Sequence, residues 1–138
     1  MAALPVAILQ GKRILYSSNI RKHMPVKTGI DIVHIPRIKR LLENEAAINR
    51  MLHGSELANM EPQHIAGIIA AKEAFFKSLE MVPKWKEIEI SSKQNGKPFI
   101  SLGNRLLSHV QSVDLSISHD AEYAIAHVIV ETKEKDGK

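Results

Sequence analysis

The chain of 138 residues is long enough for one domain with its own hydrophobic core, and its 44% apolar and 25% charged residues are ordinary for a globular protein. It has no cysteine, which excludes disulfides, thiol catalysis and cysteine-ligated zinc, and no apolar run approaches the roughly 20 residues that span a bilayer. The net charge of +4 favours acidic partners such as nucleic acid, a phosphorylated small molecule or an acidic protein, while 4% aromatic residues argue against a base-stacking surface.

Residues 1–28 differ in composition from the rest, because they contain five basic residues and the first acidic residue of the chain is Asp31. We interpret them as a basic N-terminal extension. Residues 6–16 read as a hairpin that turns at Gln10-Gly11. The alternatives are an organelle transit peptide, which is also basic and free of acids, or residues foreign to the domain.

The pattern over 29–132 predicts one α+β domain in which an antiparallel sheet packs against a long helix. A strand over 29–35 leads into a helix over about 36–48. A short helix follows over about 54–60, with Ser55 as its N-cap.

The long helix, predicted over about 62–80, is the clearest element. Its apolar residues lie on one arc of a 3.6-residue period: Ile65, Ile68, Ile69, Phe75, Phe76 and Leu79. Glu73 and Lys77 are four positions apart and share a face at the edge of this arc.

The C-terminal half is predicted to contain two hairpins and a short helix. The predicted elements are strands 86–90 and 98–102 around a turn at Asn95-Gly96, a helix over about 103–111, and strands 113–118 and 123–131 joined across 119–122. The charged tail, 133–138, is expected to fray.

Two carboxylates stand inside apolar elements, Asp31 in the first strand and Glu73 in the long helix. Charged groups rarely occupy buried faces unless they are paired or bind a metal. Magnesium takes oxygen ligands and is usually held by one or two carboxylates with water and substrate phosphate. The two acids therefore predict a Mg²⁺ site; the alternatives are a turn or capping role for Asp31 and an ion pair between Glu73 and Lys77.

Three further positions could contact a phosphorylated ligand. Lys77 could meet phosphate oxygens as a point charge, or it is a solvated lysine. His119, followed by Asp120, could bind a phosphate or be an ordinary exposed histidine. The turn 95–98 could line a ligand groove through its backbone and Lys97, or serve only as a turn.

Four motifs follow one another in a fixed order. They are Gly29-Ile30-Asp31-Ile32-Val33 with Ile35 and Arg37, Ala70-Ala71-Lys72-Glu73-Ala74 with Lys77, Gly96-Lys97-Pro98, and Ser116-Ile117-Ser118-His119 before Tyr123-Ala124-Ile125-Ala126. In this order and spacing, the chain from Gly29 to Glu131 resembles the holo-acyl-carrier-protein synthases, the small bacterial type of 4′-phosphopantetheinyl transferase.

The resemblance implies a magnesium-dependent transferase that is typically a homotrimer with active sites between its subunits. Such an enzyme moves the phosphopantetheine arm of coenzyme A onto a serine of apo acyl carrier protein and releases adenosine 3′,5′-bisphosphate. The carrier would belong to fatty-acid synthesis or to polyketide synthesis, or more than one carrier would be modified. A cytoplasmic location is expected, or an organelle if residues 1–28 are a transit peptide. No nucleic-acid or membrane partner is expected.

The resemblance also implies roles for particular residues. Asp31 and Glu73 would hold Mg²⁺ against the pyrophosphate, and Lys77 would lie beside these phosphates. The coenzyme A groove would include Lys97, Pro98 and His119, with His119 near the nucleotide end. Arg37 would face the acidic carrier protein. A carboxylate could accept the serine proton, with Glu73 the first candidate and Asp31 the second.

The chain departs from the family pattern at two places. The arginine common before the Ala-Ala-Lys-Glu-Ala motif is replaced by Ile68, and the glycine that usually ends the helix is replaced by Glu80-Met81. These departures favour an alternative in which the protein binds acyl carrier protein without turnover. A more distant alternative is a basic nucleic-acid-binding domain.

Overall fold

The computed structural model describes residues 24–133 and, as backbone strands, residues 6–9 and 12–15. The elements of these residues are, in chain order, β1 (Val6–Leu9), β2 (Lys12–Leu15), β3 (Val26–His34), α1 (Ile35–Leu41), α2 (Glu45–Met51), α3 (Pro62–Ser78), β4 (Ile88–Ser92), β5 (Pro98–Leu102), α4 (Asn104–Leu107), β6 (Val110–Asp120) and β7 (Tyr123–Thr132). Two short 3-10 turns are also present: Glu56–Ala58 lies between α2 and α3, and Trp85–Glu87 precedes β4. None of the described helices is long and apolar enough to cross a membrane.

The central sheet is antiparallel and has the strand order β3-β7-β6. Along β7 the side chains alternate between buried and exposed, as expected for a sheet with one covered face. Ala124, Ala126, Val128 and Val130 point inward and are fully buried. This face packs on α3, which confirms the predicted α+β class with an antiparallel sheet against a long helix.

Close contact between β3 and α3 depends on small residues. A Cβ atom on Gly29 would lie 1.8 Å from the backbone oxygen of Ala74, so no larger residue fits there. On the helix side, Ala66, Ala70, Ala71 and Ala74 are fully buried. The strand that carries Asp31 therefore lies directly against the helix that carries Glu73.

The single helix predicted over 36–48 is wrong, because the chain forms α1 and α2 there with a break at Leu42–Asn44. The Asn44 side chain accepts a hydrogen bond from the backbone N–H of Ala47, at 3.1 Å. Asparagine satisfies free N–H groups at a helix start, so it favours a new helix over continuation of the first.

Three other predicted boundaries need correction. Ser55 does not cap a helix; it precedes the 3-10 turn, and its hydroxyl donates to the Glu89 carboxylate. The strand predicted from residue 86 begins at Ile88, after the turn that contains Trp85. The short helix predicted over 103–111 covers only Asn104–Leu107.

The predicted hairpins are present, but β4 runs on to Ser92 and β6 is longer than predicted at both ends, beginning at Val110. β4 and β5 pair around Asn95-Gly96, and Gly96 has a φ of 83°, which favours glycine. β6 extends through His119 and Asp120, which were predicted to lie in the connection, and its turn to β7 contains only Ala121 and Glu122.

At the N-terminus, β1 and β2 pair with Leu9 opposite Lys12, in agreement with the predicted hairpin. The turn residues Gln10-Gly11 and the tail 134–138, expected to fray, lie outside the described residues. β3 starts at Val26, which pairs with Glu131 of β7, so the sheet begins three residues before the strand predicted from residue 29.

Candidate functional site

The structure brings together the two predicted metal ligands, Asp31 and Glu73. Asp31 points inward from β3 and is only 9% exposed. Its Oδ1 accepts a hydrogen bond from the ammonium group of Lys77 at 2.7 Å, and this group also donates to the backbone oxygen of Ile30 at 3.2 Å. The other carboxylate oxygen, Asp31 Oδ2, is buried and has no hydrogen-bond partner among the described residues.

Glu73 is half-buried beside this carboxylate, and its proton affinity reflects that environment. Burial raises the pKa of Glu73 to about 7, and the charge of Asp31 and the hydrogen bond that protonated Glu73 can donate to Asp31 add to the rise. Lys77 and Arg37 oppose the rise through their positive charges. Hydrogen bonding to Asp31 in turn raises the pKa of Lys77. Asp31 and Glu73 thus form an acid pair. The positive charges of Lys77 and Arg37 offset only part of the cost of placing the two carboxyl groups together.

The donor chemistry of this pair fits a hard divalent cation. A buried carboxylate oxygen without a partner is costly, and a cation bound there would satisfy it and neutralise the repulsion between the acids. No group of three or more His, Cys, Asp or Glu side chains gathers within the described part of the chain. Two carboxylates are the number that magnesium commonly takes from a protein when water and phosphate oxygens complete its shell.

A groove of about 560 Å³ between α1 and α3 opens beside the acid pair. Glu73 lies on its wall, and Arg37 and Arg40 contribute to its lining from α1. Ile38, Leu41, Met51 and Ile69 contribute apolar surface. Both arginines are exposed, so this groove presents positive charge to an approaching partner.

A second cleft, of about 430 Å³, contains two of the other predicted residues, His119 and Pro98. The side-chain nitrogen of Gln63, in the first turn of α3, lies 2.8 Å from Nδ1 of His119. Gly67 and Ile68 of α3, Ile90–Ser92 of β4 and Ile117 of β6 complete most of the wall. We call this the His119 cleft. Ile68, which replaces the expected arginine, is buried in its wall.

The acid pair and the His119 cleft do not meet within one chain. Neither Asp31 nor Glu73 lines the His119 cleft. Glu73 and Gln63 are ten residues apart on α3, which corresponds to about 15 Å along a helix axis. The predicted site residues therefore form two separate groups.

The structure does not bring Lys97 into the His119 cleft. Its ammonium group lies 2.9 Å from a carboxylate oxygen of Asp114, and both residues line a third groove with His127. This hydrogen bond holds the pKa of Asp114 below its usual range.

The sequence interpretation missed one pair of charged residues near these clefts, Lys72 and Glu56. Their side chains are fully buried and 2.8 Å apart. The sequence did contain an indication that Lys72 is buried and paired. It stands beside Ala71 on the apolar helix, and a charge that is buried must be paired.

Comparison with known proteins identifies the family. Residues 27–128 match the model of the 4′-phosphopantetheinyl transferase superfamily. The chain belongs to this family, as the sequence motifs predicted.

Within this family, the chain is similar to proteins named holo-[acyl-carrier-protein] synthase. The chain is 43% identical over 109 residues to a holo-[acyl-carrier-protein] synthase of Nautilia profundicola, an alignment that covers 74% of this chain and 96% of the relative. It is 38% identical to the enzyme of the same name from Trichlorobacter lovleyi, covering 75% of this chain and 94% of the relative.

Two solved structures are also similar. One is Helicobacter pylori holo-[acyl-carrier-protein] synthase in complex with coenzyme A, with a TM-score of 0.70, 35% identity, and coverage of 75% of this chain and 99% of that one. The other is the Bacillus anthracis enzyme in complex with CoA (3′,5′-ADP), with a TM-score of 0.67, 31% identity, and coverage of 80% and 99%.

Proposed function

We propose that this protein transfers the 4′-phosphopantetheine group from coenzyme A to a serine of apo acyl carrier protein. The products are holo carrier protein and adenosine 3′,5′-bisphosphate. The observation that carries the proposal is the acid pair of Asp31 and Glu73, with its unpartnered buried oxygen, in a chain 43% identical to a holo-[acyl-carrier-protein] synthase.

In this reaction the serine oxygen attacks the phosphorus that carries the pantetheine arm. A new P–O bond forms, the P–O bond inside the pyrophosphate breaks, and its electron pair leaves with adenosine 3′,5′-bisphosphate. Such transfers depend mainly on positioning and on charge neutralisation. A carboxylate could accept the serine proton, with Glu73 the first candidate and Asp31 the second.

Asp31 and Glu73 would hold Mg²⁺. When bound, the ion neutralises charge on the pyrophosphate oxygens and on the departing phosphate. Lys77, whose side chain is 58% exposed, is available to the same phosphates while it remains anchored to Asp31. His119 and Pro98 would contact the nucleotide end of coenzyme A in the His119 cleft, and Lys97 would join them by exchanging Asp114 for a phosphate.

The active protein is proposed to be a homotrimer. Its sheet leaves several large apolar side chains exposed on the face opposite α3: Val26, Ile30, Ile32, Tyr123, Ile125 and Ile129. Contiguous exposed apolar surface of this kind is typical of a protein–protein interface. Active sites between subunits, as the resemblance implies, would pair the acid pair of one subunit with the His119 cleft of another, and this would account for their separation in one chain.

Arg37 is the proposed contact for the acidic carrier protein. It is exposed on α1 and lines the groove beside Glu73. Its positive charge is close enough to oppose the rise in the pKa of Glu73. Attraction between opposite charges would steer the carrier to this groove at a salt-dependent rate.

The remaining assignments complete the proposal. The transferase domain covers about 29–132, between an N-terminal extension over 1–28 and a tail over 133–138. The protein acts in the cytoplasm, or in an organelle if the extension is a transit peptide. Its carrier belongs to fatty-acid or polyketide synthesis.

The test is to incubate the protein with coenzyme A, Mg²⁺ and apo carrier, and to measure the carrier by mass spectrometry. The expected result is addition of phosphopantetheine and release of adenosine 3′,5′-bisphosphate. Asp31→Ala should lower kcat/KM by roughly 10³-fold or more, because it removes charge stabilisation at the reacting phosphate. Glu43→Ala, which removes an exposed acid on the turn after α1, is the matched control and should retain activity.

Three outcomes would count against the proposal. Carrier binding without any mass gain would support the non-catalytic alternative. Full activity in Asp31→Ala would remove that residue from the reaction. Salt-dependent binding to DNA or RNA that is unaffected by Asp31→Ala would favour the nucleic-acid-binding alternative.

A further inference from the structure

Lys72 lies in the Ala-Ala-Lys-Glu-Ala motif next to Glu73, yet the proposed reaction gives it no task. Its side chain is fully buried. The ammonium group donates to the backbone oxygen of Met51 at 2.9 Å, to Glu56 Oε2 at 2.8 Å and to the backbone oxygen of Trp85 at 3.0 Å. Because an ammonium group has three donors, Lys72 is fully satisfied without water.

Glu56 is equally complete as an acceptor. Its Oε2 accepts from the backbone N–H of His53 at 2.7 Å and from Lys72, and its Oε1 accepts from the backbone N–H of Ile90 at 2.8 Å. The pair therefore joins helix α3 to the end of α2, the 3-10 turn Glu56–Ala58, the turn at Trp85 and strand β4. Other hydrogen bonds also join the non-helical segments, such as those from Ser55 to Glu89 and between His53 and Ile88, but the side-chain bonds that link them to α3 in the described part of the chain come from Lys72.

The elements that this pair joins form one wall of the His119 cleft. Ser55, Glu56 and Ile90 line the cleft on one side, and Gln63, Gly67 and Ile68 of α3 line it on another. The hydrogen bonds of Lys72 join these two groups of lining residues, in addition to the packing of α3 against β4 and the 3-10 turn. The width of the cleft on this side thus depends on the ion pair.

Stability alone is a weak reason for such a pair. Burial lowers the pKa of Lys72, while its hydrogen bond to Glu56 and the charge of Glu56 oppose this change. Buried ion pairs often contribute no more stability than apolar side chains of similar volume. The pair instead fixes the relative positions of the segments that it joins, since each hydrogen bond holds one segment at a defined place.

We propose that Lys72 and Glu56 are positioning residues that fix the wall of the His119 cleft and thereby set the affinity for the adenosine bisphosphate end of coenzyme A. The proposal deepens the function given above and rests on coenzyme A occupying this cleft. Neither residue is assigned a contact with the reacting atoms. Their effect is on ground-state binding of the nucleotide.

The test variant is the double substitution Lys72→Met/Glu56→Gln, which removes both charges and keeps their volumes. The glutamine oxygen can still accept from Ile90, but the connection to Met51 and Trp85 is lost. We expect the KM for coenzyme A to rise about tenfold, with kcat within about twofold and the KM for carrier unchanged, the pattern of lost ground-state binding. The Kd for adenosine 3′,5′-bisphosphate, measured by calorimetry, should rise by the same factor.

Two further variants keep the test decisive. Val130→Ala removes a buried side chain from the inner sheet face, lowers the Tm, and does not line the His119 cleft, so it should leave the KM for coenzyme A unchanged. Glu56→Asp keeps the charge but retracts the carboxylate, and should give a smaller rise in the same KM. If the double variant does not fold, Glu56→Asp carries the test.

An unchanged KM and Kd in a folded double variant would overturn the inference. An equal rise in Val130→Ala would also overturn it, because the effect would then follow from lost stability. If the wild-type protein binds adenosine 3′,5′-bisphosphate but transfers nothing, the proposed function fails while the Kd comparison still tests the wall. If the wild type transfers normally and the variants match it, only the inference about the wall fails.

Discussion

Glu73 is the residue whose chemistry depends most strongly on its surroundings. Burial and the neighbouring Asp31 raise the pKa of its carboxyl group from 4.5 to about 7. Between these values the folded protein retains a proton that the unfolded chain has released. In the metal-free protein, the residue therefore links folding to pH.

The sign of this linkage gives a prediction for the metal-free protein. Between about pH 4.5 and 7 the folded state binds more protons than the unfolded state, so the free energy of unfolding should fall as pH rises through this window. Urea unfolding at several pH values in the presence of a chelator measures it. In Glu73→Gln the loss of stability across this window should be smaller; identical slopes in both proteins would contradict the raised pKa.

At single positions, the sequence was informative where a charge stood inside an apolar pattern. Asp31 and Glu73 were predicted as a pair for that reason, and the structure brings them together. Lys97 and His119 stood in exposed hairpins with no such constraint. Their partners, Asp114 and Gln63, are distant in the chain, so tertiary pairing had no local signal.

At the scale of secondary-structure elements, the packing of β3 on α3 positions the acid pair. It requires a residue without Cβ at position 29, because the added atom would lie 1.8 Å from the Ala74 backbone oxygen. Backbone cannot move aside as a side chain can. The distance between strand and helix is therefore set by this glycine.

Gly29→Ala should separate the strand from the helix and destabilise the protein by about 2 kcal/mol or more, as overpacking of a core does. Transfer activity should fall with it, since Asp31 moves relative to Glu73. Gly54→Ala is the control, because a Cβ there meets no atom within 4 Å. Denaturant unfolding compares the two; equal stability would mean that β3 and α3 are not in close contact.

At the end of α3, a substitution is expected to increase the stability of the protein. Glu80 has a φ of 56°, in the left-handed region that favours glycine, while Met81 N–H bonds to the Phe76 oxygen at 2.9 Å in a helix-terminating turn. Glycine, the residue more usual in the family, would remove this strain.

Glu80→Gly should therefore raise the free energy of unfolding by about 0.5–1 kcal/mol. The matched control is Glu43→Gly, an exposed glutamate in another turn whose φ is not positive, which should give no gain. Thermal unfolding of both variants measures the difference. A loss of stability in Glu80→Gly would contradict the strained conformation.

Element by element, long periodic segments were easier to predict than short ones. α3 was predicted because its apolar period is sustained, and in the structure twelve of its seventeen residues are buried. The break between α1 and α2 was missed because apolar residues continue across it and only the Asn44 cap signals a new start. The role of Ser55 was mistaken because its hydroxyl binds Glu89, which comes from a strand 34 residues away in the chain.

For the whole molecule, charge and assembly are the properties that matter most. Within the proposed trimer the chain presents a groove with Arg37 and Arg40 to an acidic carrier. Fold class and family followed from the order of the motifs. The separation of the acid pair from the His119 cleft did not, because spacing along a chain does not state how residues distant in sequence are arranged in space.

Arg37→Glu should raise the KM for carrier protein by about tenfold or more and change that for coenzyme A far less, because charge reversal opposes docking. Lys39→Glu makes the same charge change on the same helix at an exposed position outside the groove, so it should have a smaller effect. Steady-state kinetics at two salt concentrations compare them. Equal effects of Arg37→Glu on both substrates would contradict a docking role.

The separation of the acid pair from the His119 cleft has a genetic consequence. In the proposed assembly, each active site combines the acid pair of one copy of the chain with the His119 cleft of another copy. A cell that carries two differently damaged alleles, one lacking the acids and the other lacking the histidine, would still build some intact centres from mixed subunits. Two lesions that each abolish activity alone would then complement one another, in proportion to how freely the copies exchange.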